Sequence, residues 1–325
     1  MSSKGFIKEV VLKKIEIEEI NGLIEKITST KKLTEEREFF SHSILFAQEL
    51  PRRLRAIFYD FKCNESSLGI LIKNAPFNNE NIPDTPDNYR EYQNLKLSSA
   101  DIFHGLFSSL LGEPIGFSSQ RKGHIINSII PLKEYENISN SSSGSTYDFN
   151  FHTEDAFHIG IPDYLGLICL RNYEMAPTLI SHIRNAHIPE EIKKILFENH
   201  FMIRSNPIHT NFRKELDTQK KSLLFGNYND PYLRININKL DTNEYEGKIK
   251  KAIDYLINLI NNNQFKIILE QGNCLYIDNL KTVHRRNAYE PNYGPKARWL
   301  SRIVTTNDLR KTRHLRNKPY SRKII

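Results

Sequence analysis

The sequence predicts a mainly β, α+β fold: a double-stranded β-helix, or jelly-roll, core with helices from the N-terminal third along one flank. Three observations lead to it. Before residue 112 the apolar residues recur mostly at helical spacing, whereas beyond it short alternating runs follow one another closely, as antiparallel strands do. A hydrophobic share of 39 % beside 26 % charge is that of a globular protein and excludes a disordered or fibrous chain. No internal repeat and no break in composition divides the 325 residues, a length able to bury a large core.

Taken in order, Val10 to Ile17 alternates loosely and reads as a first strand, after which Ile17, Ile20, Leu23, Ile24 and Ile27 recur as in an amphipathic helix. Thr34 reads as the N-cap of a helix running to Leu50. Pro51 suits the first turn of another, which carries Leu54, Ile57, Phe58 and Phe61. Leu68 to Lys73 alternates as a strand, and the Asn, Pro and Asp of Asn78 to Tyr92 mark a loop. Ser98 and Asp101 form a capping-box-like start to a helix that reaches Leu111 and stops at Gly112. Strands are then expected at Pro114–Gln120, His124–Ile130 and Tyr164–Leu170. A Ser/Asn/Gly segment, Asn137–Thr146, reads either as a plain linker or as a lid over a site. A helix over Ile188–His200, strands at Ser222–Phe225 and Pro231–Ile237, and a long amphipathic helix over Asn243–Ile260 follow. Strands at Phe265–Leu269, Asn273–Ile277 and Arg298–Thr305 complete the pattern.

The net charge of +8 raises the question of nucleic acid until it is located. Lys296 to Ile325 holds ten Lys/Arg against the single acid Asp308, enough to account for the whole excess. A nucleic-acid surface spreads its basic residues over a face with aromatics interleaved, so no nucleic-acid partner is expected. No apolar run approaches the ~20 residues of a membrane span, and the first residues lack the apolar core of a signal peptide. Three widely spaced cysteines, Cys63, Cys169 and Cys274, form no C-x-x-C, which fits a reducing cytoplasm and core packing.

Chemistry gathers in F-H-T-E-D-A-F-H, Phe151 to His158. His152 and Glu154 stand at i and i+2, on one face of an extended backbone. Roughly one H-x-[DE] triplet is expected by chance in a chain this long, so the motif needs a partner. His284, 132 residues later in V-H-R-R-N, would complete a 2-His-1-carboxylate set, which leaves positions open on iron(II). Arg298 and Arg302 lie four apart on the last predicted strand, hence on one face, and a guanidinium is a natural fork for a carboxylate. His158 reads as a histidine orienting the set rather than a ligand, Asp155 as a hydrogen-bond partner, and Trp299, opposite Arg298, as core. Zinc hydrolysis lacks an H-E-x-x-H helix.

Several longer runs carry a resemblance: LLGEPIGFSSQ (Leu110–Gln120), FHTEDAFH, YLGLICLRN (Tyr164–Asn172), NDPYLR (Asn229–Arg234), LYIDNLKTVHRRNAY (Leu275–Tyr289) and RWLSRIVTTNDLRKTR (Arg298–Arg313). Over roughly Leu110 to Arg316 the sequence resembles the clavaminate-synthase-like iron(II)/2-oxoglutarate oxygenases, especially those that hydroxylate free arginine, lysine or asparagine. The resemblance implies iron(II) as cofactor, 2-oxoglutarate and O2 as cosubstrates, and hydroxylation of C3 or C4 of a polar or basic L-amino acid in specialised-metabolite biosynthesis. His152, Glu154 and His284 would hold the iron. Arg298, helped by Thr178, would bind 2-oxoglutarate. Arg302 would receive the substrate α-carboxylate, with Gln120 and the free oxygen of Glu154 beside its polar groups. The pair of acids that arginine-hydroxylating relatives offer to the substrate side chain is replaced here by Asn236 and Asn238. Two amides cannot neutralise a guanidinium, which puts arginine in doubt unless Asp230, Asp241 or another acid substitutes.

One domain is expected over residues 1–325: an N-terminal part, 1–110, packed on a jelly-roll core, 111–310, with a basic tail, 311–325. The rival readings are a basic-tailed binding protein or inactive homologue, and a related oxygenase that desaturates or cyclises. The intact triad and both arginines favour the hydroxylase, and a halogenase would need Glu154 replaced by a small residue.

Overall fold

The fold was analysed in a computed structural model, which describes residues 5–77, 80, 82–88, 96–138, 141–205, 209 and 219–325. Of the expected loop Asn78–Tyr92, residues 80 and 82–88 are described and form neither helix nor strand, and the rest lies outside the described residues. The helices form where apolar residues return to one face: α1 (Lys14–Thr28), α2 (Glu36–Ala47), α3 (Arg52–Asn64), α4 (Ser99–Leu111), α5 (Glu190–Phe197) and α6 (Gly247–Asn262). The Ser98–Asp101 capping box is present, each side chain bonding the other's backbone N–H. Thr34 does not cap α2. It ends a 3-10 turn and donates its hydroxyl back to the Lys31 carbonyl at 2.7 Å, and α2 starts two residues later. The first strand also ends earlier than its alternation suggests, because the Glu16 carboxylate accepts the Lys13 N–H (2.9 Å) and starts α1 there.

The strands are β1 (Ile7–Val11), β2 (Gly69–Lys73), β3 (Glu113–Phe117), β4 (Asn127–Ile129) and β5 (Phe149–His152). They continue with β6 (Tyr164–Arg171), β7 (Thr178–His182), β8 (Leu224–Gly226), β9 (Pro231–Leu233) and β10 (Phe265–Ile267). The last are β11 (Cys274–Asp278), β12 (Thr282–Arg286), β13 (Trp299–Thr306) and β14 (Lys323–Ile324). An eight-stranded sheet runs β1-β2-β11-β6-β13-β3-β14 with β4 also on β13, a four-stranded sheet runs β10-β7-β12-β5, and β8 and β9 form a hairpin. The chain is thus sheet-rich with several helices, as expected.

Side-chain parity assigns the layers. On β6, Tyr164, Ile168 and Leu170 join Phe58, Phe103 and Phe107 beneath the N-terminal helices, while Leu165, Leu167 and Cys169 face the other way, with Ile180 and Ile267 of the smaller sheet. On β13, Trp299 and Ile303 belong to the helical side and Leu300 and Val304 to the inter-sheet side. On the smaller sheet, Phe151, Leu179 and Val283 face outward into a cluster with Ile192 of α5 and Leu256 of α6. The remaining parity is fixed by these choices. His152, Thr178, His284, Arg286 and Arg302, with Arg298 just ahead of β13, are all on the inter-sheet side.

Two strands that carry site residues, β7 and β12, escaped the sequence reading. The basic tail is also folded. β14 pairs in parallel with β3, and the Ser118 N–H donates to the Ile324 carbonyl at 2.6 Å. Arg316 is buried and its guanidinium reaches the carbonyls of Ser321 (2.9 Å) and Leu309 (2.8 Å), so part of the tail's charge serves internal order. Among the described residues no helix is long and apolar enough to cross a membrane, and no disulfide forms.

Candidate metal centre

His152 ends β5 and His284 lies in the middle of β12, and the two are direct partners across the antiparallel pair, with ring centroids 4.2 Å apart. Glu154 follows two residues after His152, where the chain leaves the strand. Its Oε2 stands 3.5 Å from His284 Nε2 and 3.9 Å from His152 Nε2. All three residues are buried, and among the described residues theirs is the cluster whose ligand atoms lie close enough, within 4.8 Å, to share one cation.

The protonation states suit a metal. His152 Nδ1 donates to the Asn150 carbonyl at 2.8 Å, which leaves Nε2 bare and aimed at the cluster. Burial, with repulsion from His284, lowers the His152 pKa to about 4. Burial alone would raise Glu154, but Arg302 and the two histidines outweigh it and hold the carboxyl below its ordinary range. Bare imidazole nitrogens and an ionised carboxylate are what a divalent cation requires, so the donor set fits iron(II).

One positioning residue has no signal in a triad search. Asn279, fully buried in the turn between β11 and β12, accepts the Glu154 N–H at 2.8 Å and donates to the carbonyls of Glu154 (3.3 Å) and Pro162 (2.9 Å). It fixes the peptide from which the carboxylate projects. His158 stands outside the cluster: its Nδ1 accepts the Gly160 N–H (2.9 Å) and its ring packs on Phe117. Asp155, with a positive φ of 50°, bonds His209 at 3.0 Å, and His209 in turn meets Ser119 at 2.7 Å.

Arg302 bonds the other oxygen of Glu154, Oε1, with one nitrogen and donates to Gln120 Oε1 (2.8 Å) with another. Arg298 is buried over the Tyr289 ring, 5.5 Å from its centroid, and Thr178 is buried as the register partner of Arg286. The asparagines are placed differently from the expected strand. β9 ends at Leu233, and a 3-10 turn over Ile237–Lys239 carries Asn238, so the two do not share a strand face. Asn236 still makes an isolated bridge to His152, and Asn238 Oδ1 accepts from Asn150 Nδ2 at 2.9 Å. Of the substitute acids, Asp230 pairs with Lys281 at 2.8 Å and the exposed Asp241 caps the Asn243 N–H. The described part of the Ser/Asn/Gly segment is fastened to its surroundings, the Ser145 carbonyl accepting from Tyr289 N (3.0 Å) and Arg286 (3.3 Å). Residues 139 and 140 lie outside the described residues.

Comparison with known proteins agrees with this site. Residues 177–304 match the family described as "Taurine catabolism dioxygenase TauD, TfdA family". The chain is 29 % identical to the enduracididine beta-hydroxylase of Streptomyces hygroscopicus, over 91 % of this chain and 94 % of that one. It is 26 % identical to the L-ornithine/L-arginine 3-hydroxylase of Catenulispora acidiphila, covering 87 % and 90 %. A crystal structure of the non-heme iron oxygenase OrfP in complex with Fe and alpha-ketoglutaric acid superposes with a TM-score of 0.89 at 26 % identity, covering 98 % of this chain and 100 % of that one. Triad, fold and relatives point one way: the chain is similar to the clavaminate-synthase-like iron(II)/2-oxoglutarate oxygenases that act on free amino acids.

Proposed function

We propose that this protein is an iron(II)/2-oxoglutarate dioxygenase that hydroxylates C3 or C4 of a free L-amino acid, polar or basic, in the cytoplasm. The observation that carries the reading is the buried His152–Glu154–His284 cluster between two sheets. The same reading takes the two main sheets as the halves of a jelly-roll within one domain, with residues 1–110 as its flank. When bound, iron(II) with 2-oxoglutarate and O2 supplies the oxidising chemistry that replaces a C–H by a C–OH, with succinate and carbon dioxide as coproducts.

The chain's own contribution is placement. His152, Glu154 and His284 would hold the metal with one ligand atom each. Arg298 receives the far carboxylate of 2-oxoglutarate, with Thr178 beside it. Arg302, held against Gln120, receives the substrate α-carboxylate, and the Glu154 oxygen that bonds Arg302 would be close to the substrate amino group. Asn236 and Asn238 sit beside β5 and bring amides rather than charges. With Asp230 and Asp241 engaged elsewhere, the reading favours an uncharged polar side chain over arginine, since a buried cation without a counter-charge costs several kcal/mol. The test is a mass-spectrometric screen of the free L-amino acids with iron(II), 2-oxoglutarate and O2. A gain of one oxygen on a polar amino acid is expected, and no gain on any of them sinks the proposal.

A further inference from the structure

Besides Arg302, which bonds Glu154, two further guanidiniums share one aromatic ring, Tyr289. Arg286 lies two residues beyond His284 on β12 and leaves the strand on the same face. Arg286 and Arg298 are both buried, and both sit over the Tyr289 ring, 5.1 and 5.5 Å from its centroid. Among the described residues neither has an acid as a hydrogen-bond partner. Arg286 donates to the carbonyls of Ser145 (3.3 Å), Asn287 (2.9 Å) and Tyr147 (3.4 Å), and Arg298 Nε is buried without a partner. Of the nearby acids, Asp148 is engaged with Arg285 and the Ala288 N–H, and Glu174 bonds Asn292 through Oε1 while its Oε2 is buried without a hydrogen-bond partner among the described residues. Two buried like charges on one aromatic platform repel unless an anion joins them.

From this we infer that Arg286 is a second specificity-determining residue for the cosubstrate. With Arg298 it forms a two-cation seat on Tyr289 for the carboxylate remote from the metal, so the pocket selects a dicarboxylic over a monocarboxylic 2-oxo acid. The inference rests on the function proposed above. The competing role for Arg286 is a staple that ties the Ser145–Tyr147 segment to β12 and leaves acid selectivity untouched.

Binding rather than turnover separates the two. The full chain, loaded with Mn(II), is titrated calorimetrically with 2-oxoglutarate and with 2-oxopentanoate, which has the same carbon count and no distal carboxylate. Arg286→Met is expected to weaken 2-oxoglutarate about ten- to fiftyfold, the loss of one charge a few ångströms away in a partly screened site, while 2-oxopentanoate changes less than about twofold. Arg286→Lys keeps the charge, loses the fork, and is expected to recover most of the selectivity. If it fails to, or if both acids weaken together in either variant, the seat is wrong and the staple stands. The Lys variant decides the matter alone should the Met variant not fold. Unsubstituted protein that binds neither acid would overturn the proposed function along with this seat, whereas the preceding results overturn the seat alone.

Discussion

Replacing Asn279 by Ala removes the one side chain that holds the Glu154 peptide from both sides. The Glu154 N–H and the carbonyls of Glu154 and Pro162 lose their partner in a fully buried turn. At roughly 1–3 kcal/mol per buried group left unpaired, with partial relaxation, the cost is about 2–5 kcal/mol. At about 2 °C per kcal/mol for a chain of this size, that lowers the melting temperature by about 4–10 °C. The second consequence concerns the metal. A carboxylate whose backbone is released loses its aim at the two imidazoles, and removal of such supporting groups weakens metal binding by roughly 10–100-fold. Thermal unfolding of the metal-free protein measures the first effect, and Mn(II) titration followed by electron paramagnetic resonance measures the second. Asn279→Asp keeps the acceptor for the Glu154 N–H but turns an oxygen toward two carbonyls, so it should weaken Mn(II) less than Asn279→Ala while still losing stability. An Asn279→Ala protein with unaltered melting and unaltered Mn(II) affinity would refute the reasoning.

Four further outcomes are expected. His152→Ala, Glu154→Ala and His284→Ala each abolish substrate-stimulated succinate formation with the fold retained by circular dichroism; full activity in His284→Ala beside loss in His158→Ala would reassign the triad. Arg298→Gln raises the 2-oxoglutarate requirement steeply, roughly 2–5 kcal/mol of lost charge-assisted binding, whereas Arg302→Gln weakens the amino acid instead, and the reverse pattern in a competition assay exchanges their roles. The double substitution Asn236→Asp with Asn238→Asp shifts preference toward arginine; a parent protein already fastest on arginine and indifferent to the change removes both residues from the pocket. Burial holds His104 at a pKa of about 3, far below its unfolded value of about 6.5, so the unfolded state takes up the proton first as pH falls. Stability is therefore complete above pH 6.5 and declines toward pH 3, by up to about 1.4 kcal/mol per unit for this one group. Denaturant midpoints at pH 7 and pH 5 should show a smaller decline in His104→Gln.

How much of this was legible beforehand depended on whether a local signal existed. His152 and Glu154 sit two apart, and the strand that carries the first ends at it, with only Thr153 before the turn that carries the second, so the period-2 argument reached them. The α4 capping box was legible for the same reason, being complete within four residues. Strands β7 and β12 were missed because, buried on both faces, they mix Thr, Ser, His and Arg with aliphatics and lose the clean alternation of a half-exposed strand. The order of the tail was not legible because it comes from pairing with β3, some two hundred residues earlier, which no window on the tail can reveal. Asn279 and Arg286 were invisible for a related reason: each matters through atoms contributed by distant segments.

The arginines show how packing delivers chemistry. Arg298 and Arg302 are four residues apart, about 13 Å along an extended chain, a spacing that suits the separate carboxylates the proposed function assigns to them. What fixes them on the inter-sheet side is not the guanidiniums themselves but the alternate residues. Trp299 is sealed under the helices with its indole N–H on Ser128 at 3.1 Å, and Ile303 lies beside it in the same cluster. Slipping β13 by one residue would drive both charges into that apolar layer and Trp299 to the inter-sheet side, a cost comparable with the whole stability of a domain. The register that buries one tryptophan therefore also sets the spacing of the two guanidiniums, and β12 does the same for His284 and Arg286 through Val283.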